Sequence, residues 1–262
     1  MNPPPAAEPA DVRLRVLTYN IHGQRDDRAA LVDVVRSVAP DVAILQEAPR
    51  RWRWRTKSAA LANAFGMVVA EGGPPALGNL VLTTLRVRVL DTWSVRFPLT
   101  PGRHVRGAVF ARCALGPTRF VVAGSHLSTD PAERPGQARL LHAACAQVDE
   151  PVILGADVND TPSPASDAGA TAPGDAASGD AASTWQIVTA GLTDVAQLAG
   201  RGDVCTYPCA GPRRRLDAVF ADPRVRVAGY TVVDTAASRR ASDHLPVVAD
   251  LILPAHHPAT AT

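Results

Sequence analysis

The sequence places acidic, amide and imidazole side chains directly beside short apolar runs, where strands are expected to begin or end. The last instance is Ser242-Asp243-His244-Leu245-Pro246, which precedes the apolar run at residues 247–253. A carboxylate and an imidazole side by side can hold a divalent cation and contact a phosphate group at the same time. One Asp-His pair arises often by chance, so its meaning depends on whether the chain holds further segments of this type.

Seven such segments precede it in the chain. They lie at residues 18–23, 45–47, 78–83, 106–107, 124–128, 155–160 and 216–220. In this order the segments resemble the motifs of the endonuclease/exonuclease/phosphatase superfamily, the DNase I-like metal-dependent phosphoesterases, and the resemblance covers nearly the whole chain. It implies an α/β fold of the four-layer α-β-β-α sandwich type, with the site on loops at one edge of two packed sheets. Loops held by a rigid scaffold are a common position for catalytic residues.

The resemblance implies a metal site built from Asn20, Glu47 and Asp243. Glu47 follows the apolar run at residues 41–45, so its carboxylate would project from a strand end. Hard oxygen ligands in small number suit Mg2+, with Mn2+ as an alternative. Without the other segments, Glu47 would be interpreted as a surface residue at a strand terminus, and Asn20 as an amide that caps a turn.

Five residues resemble catalytic residues of the superfamily: His126, Asp157, Asn159, Asp217 and His244. The resemblance implies that Asp157 orients or deprotonates the attacking water and that Asn159 supports the phosphate. The two histidines would flank the scissile phosphate, and Asp217 would orient His244. The alternatives are an Asx turn for the Asp-x-Asn pair and a structural hydrogen bond for each histidine.

Two further residues are candidate contacts to the substrate phosphate, Asn79 and Arg106. Arg106 is equally well interpreted as a surface charge at a strand edge. The cluster at residues 50–57 interleaves Trp52 and Trp54 with basic residues. It is either a patch for a phosphate-rich substrate or an amphipathic helix whose tryptophans pack inward, and the helix is favoured.

Length and composition predict one domain. The 262 residues are 46% hydrophobic, and the net charge of +2 does not indicate the concentrated basic face of a strong nonspecific nucleic-acid binder. We expect a single domain at residues 12–254, a disordered segment at 1–11, a disordered insertion at 161–183 and a flexible tail at 255–262. The insertion repeats Gly-Asp-Ala-Ala-Ser and offers too little apolar area to order itself.

The chain carries no recognisable signal peptide and no apolar run of membrane-spanning length. We therefore expect a cytoplasmic monomer. Cys113 and Cys145 are predicted to be buried thiols. For Cys205 and Cys209, a local disulfide or half a zinc site competes with two free thiols, and free thiols are favoured.

Periodicity predicts the main elements. Strands are expected at residues 12–18, 41–45, 120–124, 152–154, 216–221, 225–233 and 247–253, with a meander of three or four strands between 80 and 120. Helices are expected around residues 31–38, stopped by Pro40, at 51–65, and from Asp130 onward.

The expected function is hydrolysis of a phosphodiester or phosphomonoester in a nucleic acid, nucleotide, inositol phosphate or lipid headgroup. One alternative is a non-catalytic binding or scaffold protein that keeps the fold. A second is an interaction module built around the arginine and tryptophan cluster. The partners expected are a phosphate-ester substrate, with nucleic acid among the candidates, and no membrane-spanning segment.

Overall fold

Two mixed six-stranded sheets pack face to face and carry helices on their outer sides. The computed structural model describes residues 11–162 and 182–254. This architecture confirms the predicted four-layer sandwich. The expected N-terminal segment up to residue 10, most of the expected insertion and the expected tail lie outside the described residues.

In the part of the chain that the structure describes, twelve strands build the sheets. In chain order they are β1 (Val12–Asn20), β2 (Val42–Gln46), β3 (Val68–Glu71), β4 (Leu80–Thr83), β5 (Arg88–Arg96), β6 (Gly107–Leu115), β7 (Thr118–His126), β8 (Val152–Asp157), β9 (Thr193–Asp194), β10 (Asp217–Ala221), β11 (Arg226–Val232) and β12 (Val247–Leu253). The first sheet has the order β11-β12-β1-β2-β4-β3, and the second has the order β5-β6-β7-β8-β10-β9. The pairs β1–β2 and β7–β8 are parallel, and the other neighbours are antiparallel.

Within residues 11–162 and 182–254, six helices cover the outer faces or connect strands. They are α1 (Arg28–Val38), α2 (Trp54–Phe65), α3 (Arg134–Ala146), α4 (Thr184–Thr189), α5 (Val195–Leu198) and α6 (Ser238–Ala241), with a short 3-10 turn at His22–Gln24. Helices α1 and α2 pack on the first sheet, and α3 and α4 pack on the second. The Asp27 carboxylate caps α1, and Ala39 ends it in a left-handed conformation just before Pro40, where the sequence predicts the stop.

The central core lies between the sheets and follows the two-residue period of the strands. Leu14 and Val16 of β1 face this core, whereas Leu17 and Tyr19 face the outer helices. The same alternation places Val122 of β7 in the central core. Because side chains alternate along a strand, the residues that continue these rows must also point between the sheets.

The structure corrects several predicted boundaries. Helix α2 begins at Trp54 rather than residue 51, because Arg53 adopts a left-handed conformation with a φ of 58°. Helix α3 begins at Arg134, since the Asp130 carboxylate accepts from Ala132 in a local turn before it. Ser183, assigned to the insertion by sequence, instead caps α4 in a capping box.

The elements β3, α4, β9, α5 and α6 were not predicted, because they are short and carry no clear period. All four cysteines are free, as predicted for Cys205 and Cys209. Within residues 11–162 and 182–254, we find no helix that is both long and apolar enough to cross a bilayer.

Two glycines let the sheets approach each other closely near one end. Gly124 of β7 and Gly155 of β8 are neighbours in the parallel pair, and both face Ile44 of β2 on the opposite sheet. A Cβ added at Gly155 would lie 2.7 Å from Ile44 Cδ1 and 2.9 Å from Thr18 Cβ. Those contacts are too short for any side chain, so a larger residue must separate the sheets locally.

We expect Gly155→Ala to lower the free energy of unfolding by about 1–3 kcal/mol through overpacking. Gly136→Ala in α3 is the matched control, because its added Cβ would meet no atom within 4 Å. In a helix the same change should raise stability by about 0.5 kcal/mol. Urea denaturation of both variants checks the opposite signs, and equal stability of Gly155→Ala and wild type would contradict the packing argument.

Candidate active site

On five strands, the row of side chains that points between the two sheets ends in a polar residue at one edge of the sandwich. They are Asn20 of β1, Gln46 of β2, His126 of β7, Asp157 of β8 and Asp217 of β10. Each of them is buried, although each carries polar atoms. Buried polar groups need partners, so the hydrogen bonds among these residues determine how they can act.

Asp157 lies at the centre of this group. In the second sheet it is in register with His126 on one side and with Asp217 on the other. The opposite sheet contributes Asn20, whose Nδ2 donates to Asp157 Oδ2 at 2.9 Å. The backbone N–H of Asn159 donates to Asp157 Oδ1 at 3.0 Å. Both carboxylate oxygens are thus held, and the carboxylate has one fixed orientation.

His244 and Asp217 form a buried pair. His244 Nδ1 donates to Asp217 Oδ2 at 2.8 Å, and His244 Nε2 lies 3.8 Å from Asp157 Oδ2. Burial by itself would lower the pKa of His244, but the Asp217 carboxylate outweighs this effect, and the pKa rises to about 10. His244 is therefore an imidazolium at neutral pH, with Nε2 directed toward Asp157.

His126 is the neutral counterpart of His244. Its Nε2 lies 3.3 Å from Asp157 Oδ2. Burial lowers the pKa of His126 to about 3, and the attraction of Asp157 for the charged form is too weak to offset it. The two histidines beside one carboxylate thus differ in charge, and each has a different chemical capacity.

Three residues of this arrangement escaped the sequence interpretation. The Thr206 hydroxyl donates to Asp217 Oδ2 at 2.6 Å, and the Ser242 hydroxyl donates to the Asn20 carbonyl at 2.6 Å. The Tyr207 ring packs against the His244 ring with centroids 4.7 Å apart. Thr206 and Tyr207 lie between Cys205 and Cys209, a segment that the sequence predicts only to hold a disulfide, half a zinc site or two free thiols. Ser242 lies in the same segment as Asp243 and His244. Its position two residues before His244 is the one feature of the sequence that could have indicated a role in the site.

A groove of about 910 Å3 opens beside these residues. Glu47, Asp243, Arg106 and His126 line it. Glu47 follows β2 directly and has a φ of 55°, a left-handed conformation that is uncommon for a residue with a side chain. The groove therefore brings together two carboxylates, a guanidinium and one catalytic candidate.

Two of the predicted site residues, Asn79 and Asn159, direct their side-chain amides at backbone carbonyls. Asn79 is buried, and its Nδ2 donates to the carbonyls of Ala76 and Gly107, so its donor hydrogens are directed at backbone rather than into the groove. Asn159 Nδ2 likewise donates to the Leu127 carbonyl at 3.0 Å. In this arrangement both amides position loops. By contrast, Arg106 lines the groove, and burial lowers its pKa.

A model described as the Endonuclease/Exonuclease/phosphatase family matches residues 17–244. The chain belongs to this family. No curated protein matches the sequence.

Solved structures similar to this endonuclease/exonuclease/phosphatase family member include three from different organisms. A family protein from Beutenbergia cavernae is 26% identical over 92% of this chain and 72% of its own, with a TM-score of 0.65. TDP2 of D. rerio, complexed with a single-strand DNA product, is 20% identical over 92% of this chain and 99% of its own, with a TM-score of 0.69. A mannosyl-6-phosphatase of Bacteroides thetaiotaomicron is 14% identical over 92% of this chain and 100% of its own, with a TM-score of 0.69.

Two sets of side chains in this family member could hold a divalent metal. The first is Glu47 with Asp243, both of which line the groove. The second is Asp157, Asp217 and His244, whose ligand atoms all lie within 4.8 Å of one another. In the second set, the positive charge of His244 already offsets one of the two carboxylate charges, and His244 Nδ1 is held by Asp217.

The groove carboxylates suit a hard cation better. Glu47 makes no side-chain hydrogen bond or ion pair with the residues that the structure describes, and the side chain of Asp243 is 39% exposed. Asp243 also lies 3.8 Å from His22 Nδ1, which is held by Asp26 at 2.7 Å. Asn20, predicted as a ligand, uses its amide nitrogen on Asp157 and accepts from His22 N–H through Oδ1. Its contribution is thus mainly to orient Asp157.

Proposed function

We propose that this chain is a divalent-metal-dependent phosphoesterase that cleaves a phosphodiester or phosphomonoester bond. The observation that carries the proposal is the buried Asp157, held by Asn20 across the sheets and flanked by one neutral and one charged histidine. A non-catalytic scaffold would have no use for this arrangement. Burying Asp157 and Asp217 costs free energy that only a functional gain would justify.

In this mechanism Asp157 holds the attacking water and accepts its proton as the oxygen bonds to phosphorus. The fixed carboxylate orientation keeps the water in line with the ester bond that breaks, which reduces the entropic part of the barrier. His244, as an imidazolium, donates from Nε2 to an oxygen of the phosphate as negative charge builds, and the ester oxygen that leaves takes up a proton from solvent. Asp217 and Thr206 keep the imidazolium in place and sustain its charge.

Arg106 faces the same groove and would bind a phosphate oxygen that does not react. Mg2+, with Mn2+ as an alternative, would be held by Glu47 and Asp243 and would supply charge neutralisation at the phosphate. His126 is neutral and would accept or donate a hydrogen bond without adding charge.

The solved relatives support both ester types. One similar structure is named as TDP2 with a single-strand DNA product and another as a mannosyl-6-phosphatase. Because one fold carries both, the fold does not choose the substrate. The substrate candidates are therefore nucleic acid, nucleotide, inositol phosphate and lipid headgroup.

Removal of the divalent metal is expected to abolish hydrolysis. Purified protein is treated with EDTA, and activity is measured on p-nitrophenyl phosphate, bis-p-nitrophenyl phosphate, plasmid, a single-stranded oligonucleotide and a phosphoinositide. Mg2+ or Mn2+ should restore hydrolysis of at least one substrate. Glu47→Gln should need more metal for half-maximal activity, because a neutral amide is a weaker ligand. Full activity of the EDTA-treated protein would show that the metal mechanism is wrong.

A further inference from the structure

The groove beside the catalytic residues concentrates positive charge. It is lined by Arg25, Arg28, Arg50, Arg51, Lys57 and Arg106. Elsewhere, 10 of the 21 arginines outside the groove pair with a carboxylate, as Arg15 does with Asp250 and Arg215 with Asp194. None of the six groove cations has a carboxylate partner within 4.0 Å among the residues that the structure describes.

The charge balance of the groove differs from that of the chain. Six cations face only two carboxylates, Glu47 and Asp243, so the lining carries +4, whereas the whole chain carries +2. The remainder of the sequence is thus slightly negative, which is why the overall composition gave no indication of a basic surface. Clefts lined with one sign of charge raise the local concentration of opposite charge.

The cations that line the groove come from several separate segments of the chain. Arg106 precedes β6 and shares the lining with His126, whereas Arg51 and Lys57 come from the start of the α2 region and Arg25 from the turn before α1. Arg25, Arg51 and Lys57 are exposed to solvent. One phosphate at Asp157 would use only Arg106 and the metal ligands, so the outer cations are available for further phosphates.

An exposed aromatic side chain stands next to this lining. Trp52 is 78% exposed, and the Arg53 guanidinium lies 5.4 Å from its ring centroid. Trp54, two residues later, packs its ring on Gly73 and is only partly exposed. The inward packing predicted for both tryptophans therefore holds for Trp54 alone. The Arg53 guanidinium covers one face of the Trp52 ring, and the exposed remainder of the ring can stack with a planar group.

We propose that the groove binds a single strand of nucleic acid, with the phosphates next to the reacting one on Arg25, Arg51 and Lys57 and a base stacked on Trp52. Cationic grooves combined with free aromatic faces are how proteins bind single strands without sequence preference. This assignment rests on the proposed function only for the position of the reacting phosphate, since binding in the groove does not require cleavage.

Fluorescence anisotropy of a labelled 12-nucleotide single-stranded DNA, with Mg2+ present, tests the groove. The protein carries Asp157→Asn so that the strand stays intact. Adding Arg25→Ala, Arg51→Ala and Lys57→Ala should weaken binding at least tenfold and reduce the slope of log K against log salt by about 2, because each lost phosphate contact contributes about 0.7 for a single strand.

A matched control removes the same charge elsewhere. Arg88, Arg119 and Arg139 are exposed, do not line the groove and have no carboxylate partner among the described residues. Their triple alanine variant should leave the salt slope unchanged. If both triple variants lose affinity for the oligonucleotide equally, binding depends only on general electrostatic attraction and the proposal is wrong. Unaltered binding in the groove variant would also overturn the proposal.

Two further experiments identify the ligand: a Trp52→Ala variant and competition by tripolyphosphate. Trp52→Ala should weaken oligonucleotide binding at least about fivefold, the lower bound for one stacked base, and should leave tripolyphosphate binding unchanged. If tripolyphosphate competes as well as the oligonucleotide, the groove binds a small polyanion and the assignment to nucleic acid is wrong. Hydrolysis of the five phosphate esters named above is measured separately with the wild-type protein. Groove-dependent binding without hydrolysis of any of them would overturn the proposed function and leave the groove assignment standing.

Discussion

Asp157→Asn is expected to lower kcat by about 10^2- to 10^4-fold, the range for removal of a general base. The substitution keeps the size of the side chain but removes its ability to accept a proton. It also places an amide NH2 opposite either Asn20 Nδ2 or the Asn159 N–H, both of which donate to the carboxylate. One hydrogen bond is therefore lost, at a cost in stability of about 1–3 kcal/mol.

The measurement compares kcat, KM and the urea midpoint of the variant with those of Asp250→Asn. Asp250 is a half-exposed carboxylate on β12 that pairs with Arg15 far from the groove. The control removes the same charge and should keep wild-type kcat. A residual kcat within tenfold of wild type in Asp157→Asn would exclude this carboxylate as the base.

His244→Ala should lower kcat by orders of magnitude with little change in KM, because its contact to the phosphate strengthens as charge develops. Asp217→Asn should reproduce part of this loss. It replaces the acceptor at Oδ2, which holds His244 Nδ1 and the Thr206 hydroxyl together. The imidazole then loses both its charge partner and its fixed orientation.

The double variant tests whether the two residues act as a unit. Its kcat should be little below that of His244→Ala, since Asp217 acts through the histidine. Losses that multiply would show independent roles and refute the pair. Thr206→Val removes the hydroxyl that donates to Asp217 and accepts from the Leu216 and Asp217 N–H groups. It should give an intermediate loss in kcat and an unchanged KM.

The candidate site residues were predicted from the resemblance of their segments to the family motifs, and the two-residue period of the strands explains why several of them lie at one edge of the sandwich. In β1 the inward row passes from Leu14 and Val16 through Thr18 to Asn20, and in β8 it passes from Ile153 through Gly155 to Asp157. A polar residue that continues an apolar inward row must lie at the rim of the core. The order of the segments along the chain supplied the rest of the prediction.

The support from Thr206 and Tyr207 could not be predicted in this way. Tyr207 pairs with Arg214 in an isolated antiparallel bridge, and this folds the segment back onto the start of β10. Such a return depends on loop packing, which leaves no period in the sequence. The groove could be predicted only in part. Arg50, Arg51 and Lys57 lie in the basic cluster that the sequence shows, whereas Arg25, Arg28 and Arg106 come from separate segments, and a slightly negative remainder masks the charge of the groove in the net charge.

The hydrogen bond between Asn20 and Asp157 joins residues from two different sheets, and the glycine pair of β7 and β8 sets how far apart those sheets stand. A slight sliding or opening of the sandwich would leave every helix and strand intact and would still separate the base from its support. A misplacement of about 1 Å can cost a hundredfold in rate. On heating, hydrolysis should therefore fail some degrees below the loss of circular dichroism, and selection of variants by melting temperature alone would overlook this earlier failure.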